Sequence, residues 1–240
     1  MISSRLLIVI ATYNEIENLP NLVQQLTGLL PDAEILVIDD NSPDGTADWC
    51  RETANANEKF HVIVRESKLG LGTAAVRGFE FGLAGDYDLI ATMDADFSHA
   101  PESLLEMVRT MDQPDNGVDV MLGSRYIAGG GVEGWPLHRR IASRVVNGLA
   151  RWMLRLETRD NSGAFRVYRR SALMAIEVSK IQSSGYAYLE EIIWRLNHAN
   201  IVLGEHPITF RDRTEGQSKA NLLVGLGVLK QLIRFAFSKP

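Results

Sequence analysis

Residues 88–99 read Asp88-Leu89-Ile90-Ala91-Thr92-Met93-Asp94-Ala95-Asp96-Phe97-Ser98-His99. The apolar run at 89–93 predicts a buried strand, and two carboxylates follow it one residue apart. Because alternate strand side chains share a face, Asp94 and Asp96 can face one point where the strand ends. Such oxygen ligands suit Mg²⁺ or Mn²⁺, with substrate phosphates completing the coordination. An ordinary turn is the competing interpretation, since Asp is common after strands.

The first half of the chain alternates between apolar runs and helical spacing. Strands are predicted at 5–12, 34–39, 61–65, 89–93 and 118–122, and helices at 16–29, 47–56, 74–84 and from Pro101 onward. This order predicts an α/β fold with a Rossmann-like, mostly parallel sheet flanked by helices. Polar residues end several strands: Tyr13, Glu15, Asp39, Asp40, Asp94, Asp96 and Arg125. Open α/β sheets bind ligands at this carboxyl edge, so we predict the site there.

The second half of the chain has a different character. Three glycines at 129–131 predict a hinge, and short strands are predicted at 165–168 and 201–210, the latter at a sheet edge because it contains Pro207. Residues 137–156 combine an apolar stripe at helical spacing with five arginines and no acid. This pattern predicts an amphipathic helix in a membrane interface, or one packed on the core with a basic solvated face. A final apolar helix, predicted at 222–237, is too short to span a bilayer and could lie on it or in the core.

Charge is divided unevenly along the 240 residues, whose formal net charge is −5. Residues 1–120 hold 7 Lys or Arg against 21 Asp or Glu, whereas residues 121–240 hold 18 against 9. A basic half indicates an anionic partner such as a membrane, phosphates or nucleic acid, although no nucleic-acid-binding module is recognisable. The single cysteine, Cys50, excludes an internal disulfide and fits a reducing compartment, and no secretory signal precedes the first strand.

The polar residues suggest a nucleotide substrate that carries phosphates. Carboxylates holding a metal would bridge a diphosphate and neutralise the charge of a leaving group. Candidate anion-binding cations are Arg125, Arg139, Arg166, Arg213 and Lys219. A nicotinamide-dependent oxidoreductase is disfavoured, because the first strand–helix turn lacks Gly-x-Gly-x-x-Gly.

Five motifs together resemble the family 2 glycosyltransferases, and within them the dolichol-phosphate and polyprenol-phosphate mannose synthases. They are Ala11-Thr12-Tyr13-Asn14-Glu15, the run from Val37 to Thr46, Asp94-Ala95-Asp96-Phe97-Ser98-His99, Gly123-Ser124-Arg125-Tyr126 and the run from Asp212 to Lys219. The resemblance covers nearly the whole chain. It implies a single GT-A domain, with a nucleotide-sugar-binding half at 1–126 and an acceptor-binding, membrane-facing half at 127–240.

The resemblance also implies an inverting transfer of mannose from GDP-mannose to a polyprenyl monophosphate. Asp94 and Asp96 would bind Mg²⁺ or Mn²⁺, and Asp96 and Arg125 would act in catalysis. The substrate-binding residues implied are Tyr13, Glu15, Val37 and Asp39 for the nucleotide, Asp94, Ala95 and Asp96 for the donor, and Arg125, Arg139, Arg213 and Lys219 for phosphates.

The acceptor chemistry fits the lack of an obvious general base. A phosphate monoester has a second pKa near ~6 and is already anionic at pH 7, so it could attack the sugar directly. We therefore expect an enzyme peripheral to the cytoplasmic face of a membrane, with a membrane-anchoring protein as a further possible partner. Two alternatives stay open: a related transferase using UDP-glucose, another donor or another acceptor, and a non-catalytic module that binds nucleotide sugars or lipid phosphates.

Overall fold

The computed structural model describes residues 2–113, 116–212 and 231–235. Within these ranges the strands are β1 (Leu6–Thr12), β2 (Glu34–Asp39), β3 (Phe60–Val64), β4 (Leu89–Asp94), β5 (Val120–Ser124), β6 (Gly131–Glu133), β7 (Arg166–Arg169), β8 (Leu203–Pro207) and β9 (Thr209–Arg211). The helices are α1 (Leu19–Leu29), α2 (Thr46–Ala56), α3 (Leu71–Ala84), α4 (Pro101–Met111), α5 (Leu137–Leu154), α6 (Arg170–Ala175) and α7 (Tyr188–His198), with a 3₁₀ turn at Val178–Lys180.

The main sheet has the strand order β3-β2-β1-β4-β7-β5-β8 within the described residues. Its pairings are parallel except those of β7, which runs antiparallel to both β4 and β5. This confirms the predicted α/β class and the mostly parallel sheet. Strand β4 lies in the middle of this order, so Asp94 ends the central strand of the sheet.

Both faces of the sheet are covered, which explains the uninterrupted apolar runs of its strands. In β1, Ile8 and Ile10 face one core layer, which contains the buried residues of α1 and α4. Leu7 and Val9 face the opposite layer, which contains residues of α3 and α7. The alternation of side chains along each strand therefore fills two separate cores.

The predicted strand at 201–210 is wrong as a single element. The chain forms β8 up to Pro207 and β9 from Thr209, and these two strands belong to different sheets. The pairing of β8 with β5 runs to Pro207 opposite Ser124, and the Ile208 N–H still donates to the Ser124 carbonyl, while β9 pairs with β6. The prediction of an edge position is confirmed for β8.

Helix α5 exposes a row of apolar side chains to solvent. The exposed residues are Leu137, Ile141, Val145, Leu149 and Trp152, and we call this row the α5 apolar stripe. Their spacing places them on one face of the helix, whereas Asn147, Ala150 and Leu154 face the interior. A core-packed helix with only a basic outer face therefore does not describe these five residues.

The final apolar helix, predicted at 222–237, lies mostly outside the described residues. Residues 231–235 are helical, and Phe235 stacks on Trp194 with ring centroids 5.1 Å apart. This contact is core packing. In the part of the chain that the structure describes, no helix combines the length and apolar character that crossing a bilayer requires.

Two consecutive acids at the start of α7 have opposite environments. Burial raises the pKa of Glu190 to about 7, and its Oε2 atom has no hydrogen-bond partner among the described residues. Burial also disfavours the charge of Glu191, but hydrogen bonds from Ser183, Gln182 and Arg195 outweigh it and lower the pKa of Glu191. The fold therefore tolerates ionised Glu190 poorly and depends on ionised Glu191.

We predict opposite pH dependences for Glu190→Gln and Glu191→Gln in chemical unfolding experiments. The raised pKa of Glu190 makes the wild type lose stability as pH rises from about 4.5 to 7, so Glu190→Gln should gain about 2–3 kcal/mol at pH 8 and little at pH 4. The lowered pKa of Glu191 stabilises the protein above about pH 4.5, so Glu191→Gln should lose most at neutral pH and least in acid. Parallel pH profiles for the two variants would contradict this assignment.

Candidate active site

The two acids of the Asp-x-Asp motif lie where the central strand ends. Asp94 is the last residue of β4, and Asp96 follows in the bend. The backbone N–H of Ser98 donates to Asp96 Oδ1 at 3.1 Å, and the Ser98 hydroxyl donates to the same oxygen. Phe97, between them, has a φ of 58°, a left-handed conformation that is rare for a bulky residue. The bend is therefore strained locally while it fixes the orientation of the Asp96 carboxylate.

His99 supports Asp94 from the protein interior. Its ring stacks on Phe165 with centroids 4.7 Å apart and meets Phe210 edge-on at 5.4 Å. The backbone N–H of Asp94 donates to His99 Nδ1 at 3.4 Å, and the Asp94 carboxylate lies 3.8 Å from the same nitrogen. Burial lowers the pKa of His99 to about 4, so the imidazole is neutral near pH 7. His99 therefore supplies packing and position beside Asp94 without a positive charge.

The end of the neighbouring strand β2 is tied to β1 by Asp39. This carboxylate is fully buried and accepts hydrogen bonds from the Thr12 hydroxyl at 2.8 Å and the Ser42 hydroxyl at 2.6 Å. Val37 is also fully buried within β2. The contacts shown for Asp39 are structural, and a nucleotide contact from either residue stays a prediction.

The loop after β2 also holds the loop after β1. Successive backbone N–H groups of residues 14–16 donate to the side chains of Ser42, Thr46 and Asp44 at 2.9–3.1 Å. Burial acts to raise the pKa of Asp44, but the hydrogen bonds from Thr46 and Ile16 prevail and lower it. Tyr13 and Glu15, the predicted nucleotide contacts of this loop, are thus held at the carboxyl edge of the sheet.

Sequence reasoning missed Lys68 at this edge. Its ammonium lies 3.9 Å from the centroid of the Tyr13 ring, and its side chain is exposed. The sequence feature that could have indicated this role is a lysine two residues before Gly70, in the loop that follows the third predicted strand. Lys68 brings a positive charge next to the predicted nucleotide contacts Tyr13 and Glu15.

Arg125, predicted to hold a phosphate, is buried in an ion pair. Its guanidinium donates two hydrogen bonds of 2.7 Å to the Asp160 carboxylate and one of 3.0 Å to the Ser162 hydroxyl. Burial acts to lower the pKa of Arg125, but the adjacent Asp160 prevails and raises it. The structure therefore shows a structural partner for Arg125, and a phosphate contact or catalytic role for it stays a prediction.

The proposal of Arg166 as an anion-binding residue is wrong for this structure. Arg166 is fully buried, and its guanidinium donates to the backbone carbonyls of Gly163, Asn161 and Leu189 at 2.8–3.1 Å. Its charge stabilises the turn before β7. No residue type in the sequence could indicate this role, because the acceptors are backbone oxygens.

Arg139 lies closer to solvent, at the start of α5. Its guanidinium carbon is 4.0 Å from the centroid of the Trp135 ring, and it donates to Asp212 Oδ1 at 3.0 Å. Trp135 also meets Phe210 edge-on at 5.3 Å, which connects Arg139 to the aromatic residues around His99. Arg213 and Lys219, the other predicted phosphate contacts, lie outside the described residues.

The donor set at the strand end suits a metal shared with a substrate. Among the described residues, no group of three or more His, Cys, Asp or Glu side chains could hold a metal ion alone. Asp94 and Asp96 offer hard carboxylate oxygens, and Mg²⁺ is commonly held by one or two carboxylates with phosphates and water completing its shell. The residues present therefore fit a divalent cation that binds together with a diphosphate.

A mostly parallel sheet with two acids at the end of its central strand can hold a phosphate-bearing ligand together with a metal ion. Residues 7–176 match the family described as Glycosyl transferase family 2. The chain belongs to this family and is a glycosyltransferase.

Two similar proteins cover 90% of this chain. Polyprenol monophosphomannose synthase of Mycolicibacterium smegmatis is 42% identical over 218 residues, which are 81% of its own length. Undecaprenyl-phosphate mannosyltransferase of Micrococcus luteus is 40% identical over 218 residues, 87% of its length. Glucosyl-3-phosphoglycerate synthase of Mycobacterium tuberculosis, solved with Mn²⁺, uridine diphosphate and phosphoglyceric acid, superimposes with a TM-score of 0.69 at 16% identity, covering 99% of this chain and 80% of that one. The last comparison confirms the GT-A fold.

We predict that Asp160→Ala destabilises the fold by about 3–5 kcal/mol, because it leaves the buried Arg125 guanidinium without its counter-ion. Asp160→Asn keeps the shape of the side chain and should lose less. The measurement is urea unfolding at neutral pH. Asp48→Ala is the matched control, since it breaks an exposed ion pair with Arg51 and should cost under about 1 kcal/mol. Equal losses of unfolding free energy in Asp160→Ala and Asp48→Ala would show that the buried ion pair stabilises the fold no more than an exposed one.

Proposed function

We propose that this glycosyltransferase moves mannose from GDP-mannose to a polyprenyl monophosphate at a membrane surface, with inversion at the sugar carbon. The observation that carries this proposal is the 40–42% identity to two mannosyltransferases across 90% of the chain. Asp94 and Asp96 at the end of β4, together with Arg139 at the start of α5, supply charged groups that such a reaction needs. GDP-mannose as the donor rests on the family resemblance.

The proposed cofactor is Mg²⁺ or Mn²⁺, held by Asp94 and Asp96 with the donor diphosphate. The solved relative with Mn²⁺ and uridine diphosphate supports a divalent cation in this fold. Bound there, the cation would neutralise the charge that develops on the departing nucleoside diphosphate. The backbone N–H of Ser98 donates to Asp96 Oδ1 and so restrains the orientation of this carboxylate.

The acceptor phosphate needs no deprotonation by the protein near pH 7. One of its oxygens forms a bond to the anomeric carbon while the bond from that carbon to the nucleotide phosphate breaks, and the nucleoside diphosphate leaves with the electron pair. The work of the chain is to hold two mutually repelling anions in line. Arg139 is suited to the acceptor phosphate because its guanidinium lies on Trp135 and stays partly exposed.

The α5 apolar stripe supplies a means of reaching a membrane-bound acceptor. Trp152 and Leu137 are the most exposed of its members, at 78% and 73%. Burial of such side chains in the headgroup region is favourable, and arginines beside them are attracted to anionic lipids. We therefore propose peripheral attachment to a membrane through α5.

We predict that Asp96→Ala abolishes mannosyl transfer, with a loss of about a thousandfold or more, because cation coordination at a leaving diphosphate contributes several kcal/mol. The assay mixes the protein with polyprenyl phosphate, Mg²⁺ or Mn²⁺, and a panel of labelled GDP- and UDP-sugars. Product formed only from GDP-mannose supports the proposed donor, whereas product from UDP-glucose would replace it.

Asp86→Ala is the matched control for Asp96→Ala. Asp86 precedes β4 at the opposite end of the strand, and its side chain is 96% exposed. Manganese-dependent binding of GDP, measured by calorimetry, should be lost in Asp96→Ala and kept in Asp86→Ala. Near-normal turnover of Asp96→Ala would refute the metal site, and absence of turnover by the wild type with every sugar would favour a binding module.

We predict that Ile141→Ser with Trp152→Ser weakens binding to lipid vesicles by tenfold or more, because burial of each side chain is worth roughly 1.5–3 kcal/mol. Vesicle flotation measures this directly. Met174→Ser is the control, since Met174 is 61% exposed on α6, outside the stripe. Unchanged flotation of the double variant would assign the stripe to a protein partner, such as a membrane anchor, instead of the bilayer.

A further inference from the structure

A cavity of about 430 Å³ lies beside α5 and is lined by four arginines. The four are Arg125, Arg144, Arg151 and Arg159, and Gly148 of α5 also lines the cavity. The volume lies within the ~300–1,000 Å³ that small-molecule sites occupy. No acidic residue is among the lining residues that the structure describes, so a ligand of negative charge is favoured.

Three of these arginines keep their charge available to a ligand. Arg125 is already neutralised by Asp160, so it contributes little further attraction. Arg144, Arg151 and Arg159 have no carboxylate within ion-pair distance among the described residues. Arg151 donates through Nε to the Leu156 carbonyl at 3.3 Å, and Arg144 lies 5.9 Å from the Tyr126 ring centroid, which leaves most of their donors unused. The carboxylate of Glu205 accepts hydrogen bonds from the backbone N–H groups of Arg159 and Asp160 and makes no ion pair with the Arg159 guanidinium.

The cavity shares Arg125 with the residues predicted to act at the transfer site, but it does not include the site proposed for the acceptor phosphate. Arg139 pairs with Asp212 and lies on Trp135, and none of these three residues lines the cavity. Helical geometry gives the reason. Arg144 and Arg151 are seven residues apart and share one side of α5, whereas Arg139 is about 140° away from Arg144 around the axis. Asp94 and Asp96 do not line the cavity either.

The position of the cavity beside the α5 apolar stripe indicates the class of its ligand. Arg144, Gly148 and Arg151 each directly precede a stripe residue, namely Val145, Leu149 and Trp152. An anion in the cavity would therefore have apolar surface next to it. A phospholipid combines these two features, because its phosphate carries the charge and its acyl chains are apolar.

We infer that this cavity binds the phosphate of an anionic membrane phospholipid, at a second anion site next to the sugar-transfer site. Arg144, Arg151 and Arg159 hold the phosphate, while the stripe residues beside them contact the acyl region. Charge-assisted hydrogen bonds from arginine to phosphate give this contact its strength. The site fixes the protein on the bilayer without taking part in the reaction.

The test measures binding of the full chain to phosphatidylcholine vesicles with or without phosphatidylglycerol, in the absence of sugar donor and acceptor. Arg144→Gln with Arg159→Gln should weaken binding to the anionic vesicles by about a hundredfold, because it removes two of the three guanidinium groups that would hold the phosphate. Arg155→Gln removes one positive charge outside the cavity lining and should weaken binding by about fivefold or less, and the single variant Arg144→Gln is its charge-matched counterpart. Binding to neutral vesicles should not change.

Gly148→Gln tests whether the cavity itself binds the phosphate, because it places a longer side chain at a lining position without altering the charge. A Cβ atom at Gly148 meets no heavy atom within 4 Å, so the added side chain begins in open space, and the same is true of the control Gly28→Gln on α1. Gly148→Gln should weaken binding to phosphatidylglycerol vesicles about tenfold, and Gly28→Gln should leave it unchanged. No effect of Gly148→Gln, with equal losses from Arg144→Gln and Arg155→Gln, would overturn the site.

Two further outcomes would assign the cavity to another phosphate. Binding of glycerol 1-phosphate that is lost in Arg144→Gln with Arg159→Gln, without any change in vesicle binding, would show a site for a soluble anion. A raised KM for polyprenyl phosphate in detergent, again with unchanged vesicle binding, would show that the acceptor itself occupies the cavity. Because the vesicle measurement needs no turnover, its result is independent of whether the proposed mannosyl transfer is correct.

Discussion

The ion pair between Arg125 and Asp160 joins the parts of the molecule that carry the site. Two buried charges lose their hydration, and the two 2.7 Å hydrogen bonds between them, with a further one from the Arg125 backbone N–H to Asp160 at 2.9 Å, offset this cost. The pair attaches the end of β5 to the turn before β7, and Ser162 extends the connection to Asn147 on α5. The orientation of α5, with its apolar stripe outward, therefore depends on a contact in the interior.

Aromatic side chains connect the Arg125–Asp160 pair to the acids at the sheet edge. The Arg125 guanidinium lies 5.4 Å from the Trp135 ring and 5.6 Å from the Phe210 ring, and Phe210 in turn contacts His99. His99 lies beside Asp94. One continuous set of contacts thus runs from the carboxylates of β4 to the arginine at the end of β5. A neutral His99 suits this position, because an imidazolium would compete with a cation for the Asp94 carboxylate.

The sequence was sufficient where the information was local. Apolar runs and turn residues located β1, β2 and β4 within one residue, because strands buried on both faces leave a continuous apolar signal. It was insufficient where a partner lies far along the chain. Asp160 is 35 residues from Arg125, and the insertion of β7 between β4 and β5 joins segments about 75 residues apart. The split of β8 from β9 likewise depends on which sheet offers a partner, so no pattern within 201–210 could reveal it.

The uneven charge of the two halves has a physical consequence for the proposed reaction. Residues 1–120 carry an excess of 14 negative charges and form the part of the sheet that ends in Asp94, so a nucleotide diphosphate would be repelled there without a cation. Residues 121–240 carry an excess of 9 positive charges, and the arginines of α5 lie within them. A phosphate on a lipid is attracted to that half without any metal. In the proposed reaction, affinity for the donor would therefore depend on a divalent cation and affinity for an anionic surface on the arginines, so the two would vary independently.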